Sequence, residues 1–270
     1  MLPESMAQVP TAAGIFLWFD SLVHPTFDDT FVQMLVRHLH FLAGVTWIGI
    51  LYFFNLVNVP FMKTLDGPTK GKVIPELMPR ALWWFRWGAV LTVLSGLMYY
   101  AMYIVASDKK NMDAIGSPSA ANFSTWGALG IWIVIVLVSY AIIYGILQPV
   151  SGALNKGAVL AVLIGIVVLA MSAAILYMLG VPDVSNRTLS IGIGGGMGVI
   201  MFLNVWGIIW PAQKKIIAWT KENAEKGTAI PAESAKLARR AFLASRTNAW
   251  LSIFMLFLMG ASTHYGMFGK

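Results

Sequence analysis

The segment of residues 158–180 has the sequence AVLAVLIGIVVLAMSAAILYMLG, in which no side chain is charged. An α-helix needs about 20 predominantly apolar residues to cross the hydrocarbon core of a bilayer. Lipid offers no hydrogen-bond partners, so such a run can cross only as a helix that satisfies its own backbone groups. The segment therefore predicts a transmembrane helix.

Other runs along the chain are similar, and together they predict spans near residues 32–59, 82–106, 126–148, 158–180, 188–210 and 248–267. The chain of 270 residues is 58% hydrophobic and 11% charged, whereas a soluble domain has about 25% charged residues. No stretch indicates a second domain. We therefore expect residues 1–270 to form one all-α membrane domain, a polytopic bundle of about six transmembrane helices. Residues 12–23 are apolar but short, which predicts an N-terminal interfacial helix.

The cations lie mostly in short loops, which is typical of topology signals and of contact with the lipid bilayer rather than of nucleic-acid binding. The loops after spans 1, 3 and 5 hold thirteen Lys and Arg, and the opposite side holds four. This bias predicts that both termini lie on the non-cytoplasmic side. Residues 211–247 form the main polar segment, predicted as two amphipathic helices, 212–226 and 232–246, along the cytoplasmic surface.

The chain contains no Cys, which excludes disulfides, iron–sulfur clusters, zinc thiolate sites and covalent c-type haem. No Ser-His-Asp, paired-carboxylate or phosphate-loop constellation is present, so no catalytic residue is assigned. The predicted spans contain essentially no Asp or Glu, which argues against the carboxylate proton relay of many transporters.

Two of the four histidines are candidates for ligands. His40 lies about 12 Å into the first span, and His264 lies near the outer end of the last. Imidazoles at similar depth on different helices suit the axial ligands of a b-type haem, and they could also ligate a metal ion. We interpret His24, in the N-terminal tail, as a surface residue.

Helical phase favours His40 over His38 on the first span. One sector of about 80° forms a polar and small stripe that should face the bundle interior, and it contains Arg37, His40, Gly44, Trp47, Leu51, Asn55 and Asn58. His38 lies about 160° away from His40. Gly44 would let a flat macrocycle approach the backbone.

The fifth span contains a cluster of glycines: Gly192, Gly194, Gly195, Gly196 and Gly198. The cluster predicts either close helix packing or room for a planar cofactor. A dinucleotide site is not favoured, because no strand precedes the glycines.

Two arginines lie within predicted spans and leave alternatives open. Arg37 could pair with a haem propionate or extend to lipid phosphate. Arg86 could extend to the inner surface or meet Asn55, Asn58 and Asn204 in a polar chamber.

Several stretches resemble, in order along the chain, the membrane domain of PuuD-type bacterial urate oxidases. They are Arg37-His-Leu-His-Phe-Leu-Ala-Gly-Val-Thr-Trp-Ile-Gly49, Trp83-Trp-Phe-Arg-Trp-Gly88, Asn204-Val-Trp-Gly-Ile-Ile-Trp-Pro-Ala-Gln-Lys-Lys215, Arg246-Thr-Asn248 and Thr263-His-Tyr265. CopD-like and HemJ-like membrane haem proteins share a pattern similar to the first stretch.

The resemblance implies a helical membrane domain, in a bacterial inner membrane, that oxidises a small molecule and passes electrons to cytochrome c. It carries over His40 and His264 as functional residues. Members of that family have a fused cytochrome c domain, which the sequence up to Lys270 lacks. They also tend to have His where this chain has Thr247.

Our first hypothesis is a membrane protein that binds haem b and functions in electron transfer or small-molecule oxidation. His40 and His264 would be the axial ligands and Arg37 the propionate partner. The cofactor would lie against a wall formed by Gly44, Trp47, Gly192, Gly195 and Gly196. Its partners would be cytochrome c or other membrane subunits, and a small-molecule reductant. The alternatives are an accessory or anchoring subunit without its own redox centre, and a histidine-based ion transporter.

Overall fold

The structure is a computed structural model that describes residues 28–149 and 151–269. Six helices in this part of the chain are long and apolar enough to cross a membrane. They are α1 (Asp29–Thr64), α2 (Gly67–Ala114), α3 (Thr125–Leu147), α4 (Gly157–Leu179), α5 (Asn186–Lys226) and α6 (Glu233–His264). The predicted all-α class with about six spans is confirmed. The predicted interfacial helix at residues 12–23, and His24, lie outside the described residues.

Short polar side chains begin three of the helices. Asp66 precedes α2 and accepts a hydrogen bond from the Thr69 N–H at 2.8 Å, Ser124 caps α3 in the same way, and Ser185 caps α5. These caps satisfy backbone donors that a helix start leaves unpaired. Because the connections are short, successive helices run in opposite directions, so α1, α3 and α5 begin where α2, α4 and α6 end.

The polar segment after the fifth span differs from the prediction of separate surface helices. Its first helix continues α5 to Lys226, and its second continues without a break into α6. Pro211 lacks a backbone N–H, but the π-helical turn Val205–Ile209 just before it accommodates the missing bond. The chain breaks only after Lys226, where Gly227 takes a left-handed conformation with φ of 69°.

Helix α5 is anchored by side chains from its neighbours. Hydrogen bonds reach its carbonyls from Tyr100 (to Thr188, 3.0 Å), Trp132 (to Gly192, 2.7 Å), Tyr140 (to Leu203, 3.1 Å) and Asn248 (to Met201, 2.9 Å). Such bonds hold helices together in lipid, where apolar side chains give little preference for protein over solvent. They make α5 a fixed wall for the site described next.

Candidate cofactor site

A cavity of about 620 Å³ lies between α1, α2, α3, α5 and α6. It occupies the end at which α1 and α5 begin and α2 and α6 end. Cofactor sites typically enclose about 300–1,000 Å³, so the cavity is large enough for one. Six of the predicted site residues line it: Arg37, His40, Gly44, Trp47, Gly195 and His264.

His40 is held by a hydrogen bond to the neighbouring helix. Its Nδ1 lies 2.8 Å from the main-chain oxygen of Thr92 on α2. A carbonyl oxygen only accepts, so Nδ1 carries the proton and Nε2 keeps its lone pair. Metal-ligating histidines are commonly oriented in this way, with the second ring nitrogen bound to a carbonyl.

Gly96, one turn beyond Thr92, makes room for the His40 ring. A Cβ atom at position 96 would lie 2.8 Å from Cε1 and 3.0 Å from Nδ1 of His40. Real Cβ atoms do not approach so closely, so any larger residue would displace the imidazole. Sequence reasoning missed both Thr92 and Gly96. A glycine one turn from a threonine could have indicated a close contact on this face of α2. Nothing in the neighbouring sequence identified His40 as the residue in contact.

His264 differs from His40 in its surroundings. It lies in the last turn of α6 and lines the cavity, but its side chain is exposed. No hydrogen bond joins it to another described residue. The cavity therefore has one imidazole that a hydrogen bond orients and one that no hydrogen bond to a described residue orients.

Two arginines line the cavity. Arg37 is exposed, and its guanidinium carbon lies 5.5 Å from the ring centroid of Phe41. Arg187 is partly buried, and its Nε has no hydrogen-bond partner among the described residues. It lies in the first turn of α5, where Asp108 Oδ2 accepts hydrogen bonds of 2.9 Å from both the N–H and the hydroxyl of Ser185. Sequence reasoning counted Arg187 only as a topology signal.

The α5 glycines divide between two faces. Gly195 and Gly198 line the cavity, whereas Gly192 and Gly196 do not. A Cβ at position 192 would lie 2.8 Å from the Tyr100 hydroxyl, and one at 196 would lie 3.1 Å from Val136. Positions 195 and 196 differ by about 100° around the helix, so adjacent glycines serve different neighbours. Of the glycines predicted to form the cofactor wall, Gly195 lines the cavity, whereas Gly192 and Gly196 pack against neighbouring helices. Gly198, which was not assigned to the wall, also lines the cavity.

Trp47 supplies an unsatisfied donor at the cavity. The side chain is 1% exposed, and Nε1 has no hydrogen-bond partner in the described part of the chain. A buried N–H without a partner costs about 1–3 kcal/mol, which a ligand oxygen in the cavity would offset. Gly44 also borders the cavity, and a Cβ there would make only ordinary contact, 3.7 Å from the Thr92 methyl group.

Arg86 stacks on aromatic rings of α5, and no hydrogen bond joins it to Asn55, Asn58 or Asn204 among the described residues. Its guanidinium carbon lies 3.7 Å from the ring centroid of Trp210 and 5.8 Å from that of Trp206. Stacking on an indole face stabilises a cation within the apolar region. Asn204, one of its predicted partners, instead donates a hydrogen bond to Asn248.

The donor set fits a haem better than a bare ion. Among residues 28–149 and 151–269, no three His, Cys, Asp or Glu side chains form a group that could hold a metal ion. A haem needs only one or two axial ligands from the protein, whereas a bare zinc ion takes three or four. His40, His264, two arginines and a glycine-lined wall are a set that a b-type haem could use.

A comparison with protein families agrees with the resemblance drawn from the sequence. The model of the urate oxidase N-terminal family matches residues 65–270, about three quarters of the chain. This chain belongs to the urate oxidase N-terminal family. The match includes Thr92, Gly96, Arg187 and His264 of this urate oxidase N-terminal domain, whereas the whole of α1, with His40, precedes it. No curated protein and no solved structure matches the chain.

Proposed function

We propose that this member of the urate oxidase N-terminal family binds one b-type haem in the cavity and transfers electrons from a small-molecule reductant to a cytochrome c or another membrane subunit. The observation that carries the proposal is the orientation of His40. Its Nδ1 is committed to the Thr92 carbonyl, so Nε2 is available as a ligand in a cavity that also contains a second imidazole.

In this proposal His40 on α1 and His264 on α6 would hold the haem iron. A bound b-type haem carries one electron at a time as its iron alternates between the ferric and ferrous states. The hydrogen bond to Thr92 fixes the orientation of the His40 ring. Because Gly96 has no side chain, the His40 ring has room to lie against α2.

The arginines would hold the carboxylate side of the cofactor. Guanidinium groups form charge-assisted, often bidentate hydrogen bonds with carboxylates. Arg37 and Arg187 both line the cavity, so each could pair with one propionate. Gly195 and Gly198 would let the flat ring approach α5, and the Trp47 N–H would meet an acceptor.

Six membrane-crossing helices indicate an integral membrane protein in contact with a lipid bilayer. We extend the proposal to the bacterial inner membrane, with both termini and the cavity on the non-cytoplasmic side, because the positive residues gather at the other end. Family membership supports oxidation of a small molecule and a cytochrome partner.

An accessory subunit without its own redox centre is the second candidate. The observation that favours it is the exposed side chain of His264, which no hydrogen bond to a described residue orients. A second axial ligand that is not preorganised would hold the iron less firmly.

An absorption spectrum of the detergent-purified protein, oxidised and then reduced, tests the proposal together with a haem assay on the same sample. We expect a sharp reduced b-type spectrum at about one haem per chain, and a low-spin ferric signal in electron paramagnetic resonance from two imidazole ligands. A folded protein that remains colourless after haem supplementation would refute the proposal and favour the accessory subunit.

A further inference from the structure

Polar side chains continue below the cavity, between α1 and α6. Tyr52 lines the cavity, and its hydroxyl lies 3.0 Å from that of Ser252 on α6. Three residues further along α1, Asn55 donates a hydrogen bond of 2.9 Å to the hydroxyl of Ser245. The pairing of 52 with 252 and of 55 with 245 follows the antiparallel register of the two helices.

Helix α5 joins the same contact. Asn204 donates a hydrogen bond of 2.8 Å from Nδ2 to Asn248 Oδ1. Asn248 lies one turn from both Ser245 and Ser252, on the same face of α6. We call the set formed by these residues and by Asn58, which follows Asn55 by three positions, the polar stripe: Tyr52, Asn55, Asn58, Asn204, Ser245, Asn248 and Ser252.

Three amide oxygens of the polar stripe lack donors. The Oδ1 atoms of Asn55, Asn58 and Asn204 have no hydrogen-bond partner among the described residues. The three side chains are 4%, 8% and 0% exposed. Buried polar atoms are almost always paired with protein or with ordered water, so three unpaired oxygens on one stripe indicate a bound molecule.

Two unpaired donors lie outside the polar stripe. Trp206 Nε1 and Arg86 Nε have no hydrogen-bond partner in the part of the chain that the structure describes. Trp206 lies about 160° around α5 from Asn204, and the Arg86 guanidinium lies over the Trp206 and Trp210 rings. These donors therefore belong to a separate contact between α2 and α5.

Water fits the polar stripe better than a cation does. The polar stripe contains no carboxylate to attract a cation. A buried water molecule typically makes two to four hydrogen bonds, and the amides and hydroxyls supply such partners. Six residues of α1 separate Tyr52 from Asn58, about 9 Å, a length that several waters would fill.

We propose that the polar stripe binds a file of water molecules extending from the cavity floor at Tyr52 to Asn58, and that protons cross this distance along it. A proton entering one end of the file displaces another at the far end, so no further reactant is consumed. The role in proton transfer rests on the proposed function, because an electron that enters the cavity adds negative charge that a proton can neutralise.

X-ray radiolytic footprinting of the full chain in nanodiscs tests the water file. Hydroxyl radicals form from bound water where it lies and oxidise nearby side chains, methionine among the fastest. Met78 is a built-in reporter, because it is 7% exposed and its sulfur lies 3.9 Å from Asn58 Nδ2. Met171 is the matched control, since it is 1% exposed and packs against Gly196.

We expect Met78 to be oxidised on the order of ten times faster than Met171, and the Asn58→Leu variant to lose most of that difference. Equal rates for the two methionines in the unmodified protein would overturn the proposal. Asn204→Leu is the second variant, since it removes a different unpaired oxygen and leaves Met78 and its neighbour Asn58 in place.

Proton uptake after flash reduction of the haem-loaded protein, followed with a pH dye, tests the transport role. In Asn204→Leu we expect uptake to slow by on the order of tenfold with haem content unchanged, because an apolar side chain interrupts the file. An unchanged uptake rate would overturn the transport role. A haem-free protein that still labels Met78 rapidly would refute the proposed function and leave the water file standing.

Discussion

Helices α1 and α6 meet differently along their lengths. At one end they border a cavity of about 620 Å³ and present His40 and His264 to it. Below it, hydrogen bonds join the same two helices from Tyr52 to Ser252 and from Asn55 to Ser245. Apolar side chains have little preference for one another over lipid, so polar contacts and small residues determine where membrane helices touch. The cavity is therefore an opening that the contacts below it hold in place.

Substitutions in the cavity and in the polar stripe should affect different properties of the protein. The cavity carries groups that can ligate or pair with a cofactor, and their loss should affect binding. The polar stripe carries amides and hydroxyls that join helices, and their loss should affect stability. Sites more than about 7–10 Å apart without shared partners usually contribute independently. Substitutions that avoid Tyr52, which belongs to both regions, can therefore test each region alone.

The largest expected effect belongs to His40→Ala. The variant should lose nearly all bound haem while it remains folded in the membrane, because it removes the ligand that Thr92 orients. A haem assay and an absorption spectrum measure the loss. His38→Ala is the matched control, since His38 is exposed two residues away and does not line the cavity. Full haem content in His40→Ala would refute the ligand assignment.

Gly96→Ala should have the next largest effect. The new methyl group would lie 2.8 Å from the His40 ring and would displace the imidazole. Substitutions of residues that orient a metal ligand typically lower metal affinity by about 10–100-fold. Haem titration measures the change. Gly165→Ala provides the control, because a Cβ there meets nothing within 4 Å. Equal haem affinity in the two variants would show that the ring tolerates displacement.

Residues on a single helix were predictable because helical phase is local. The periodicity of α1 selected seven residues, of which Arg37, His40, Gly44 and Trp47 line the cavity and Leu51, Asn55 and Asn58 do not. Thr92, Gly96 and Arg187 were missed, because their roles depend on which helices are neighbours. The α5 glycines were placed on one wall, but a helix buried on most sides lacks the polar and apolar faces that would separate Gly195 from Gly196.

The spans were predictable for a different reason. The thickness of the hydrocarbon core sets how many apolar residues a crossing helix needs, and composition reports that number. Composition does not report where a helix ends, because the backbone hydrogen bonds of α5 and α6 continue past the change from apolar to polar side chains. The polar segment was therefore recognised, but its continuity with both spans was not.

In the polar stripe, Asn248→Leu should destabilise the protein by about 1 kcal/mol, since interhelical hydrogen bonds in membranes average about 0.6 and reach about 1.7 kcal/mol. The variant leaves the fully buried Asn204 amide without its partner. Reversible unfolding in bicelles measures the free energy, and haem content should not change. Ser172→Ala is the control, because its hydroxyl bonds only to Val168 in its own helix. A large loss of haem in Asn248→Leu would show that the two regions are coupled.

The smallest expected effect is a difference in haem midpoint potential between variants of the two cavity arginines. Arg187→Gln should lower the haem midpoint potential by roughly tens of millivolts, because removing a nearby positive charge favours the ferric state. Arg37→Gln should lower it less, since Arg37 is exposed and Arg187 is partly buried. Spectroelectrochemical titration measures both shifts.

The salt dependence of these potential shifts further distinguishes the two arginines. At about 0.15 M salt, charges in solvent are screened within about 8 Å, whereas charges with restricted solvent access are screened much less. Raising the salt concentration should therefore shrink the shift caused by Arg37→Gln and leave most of that caused by Arg187→Gln. Equal shifts with equal salt dependence would place both guanidinium groups in the same solvent environment. The partial burial of Arg187 at the start of α5 would then have no electrostatic consequence for the cofactor.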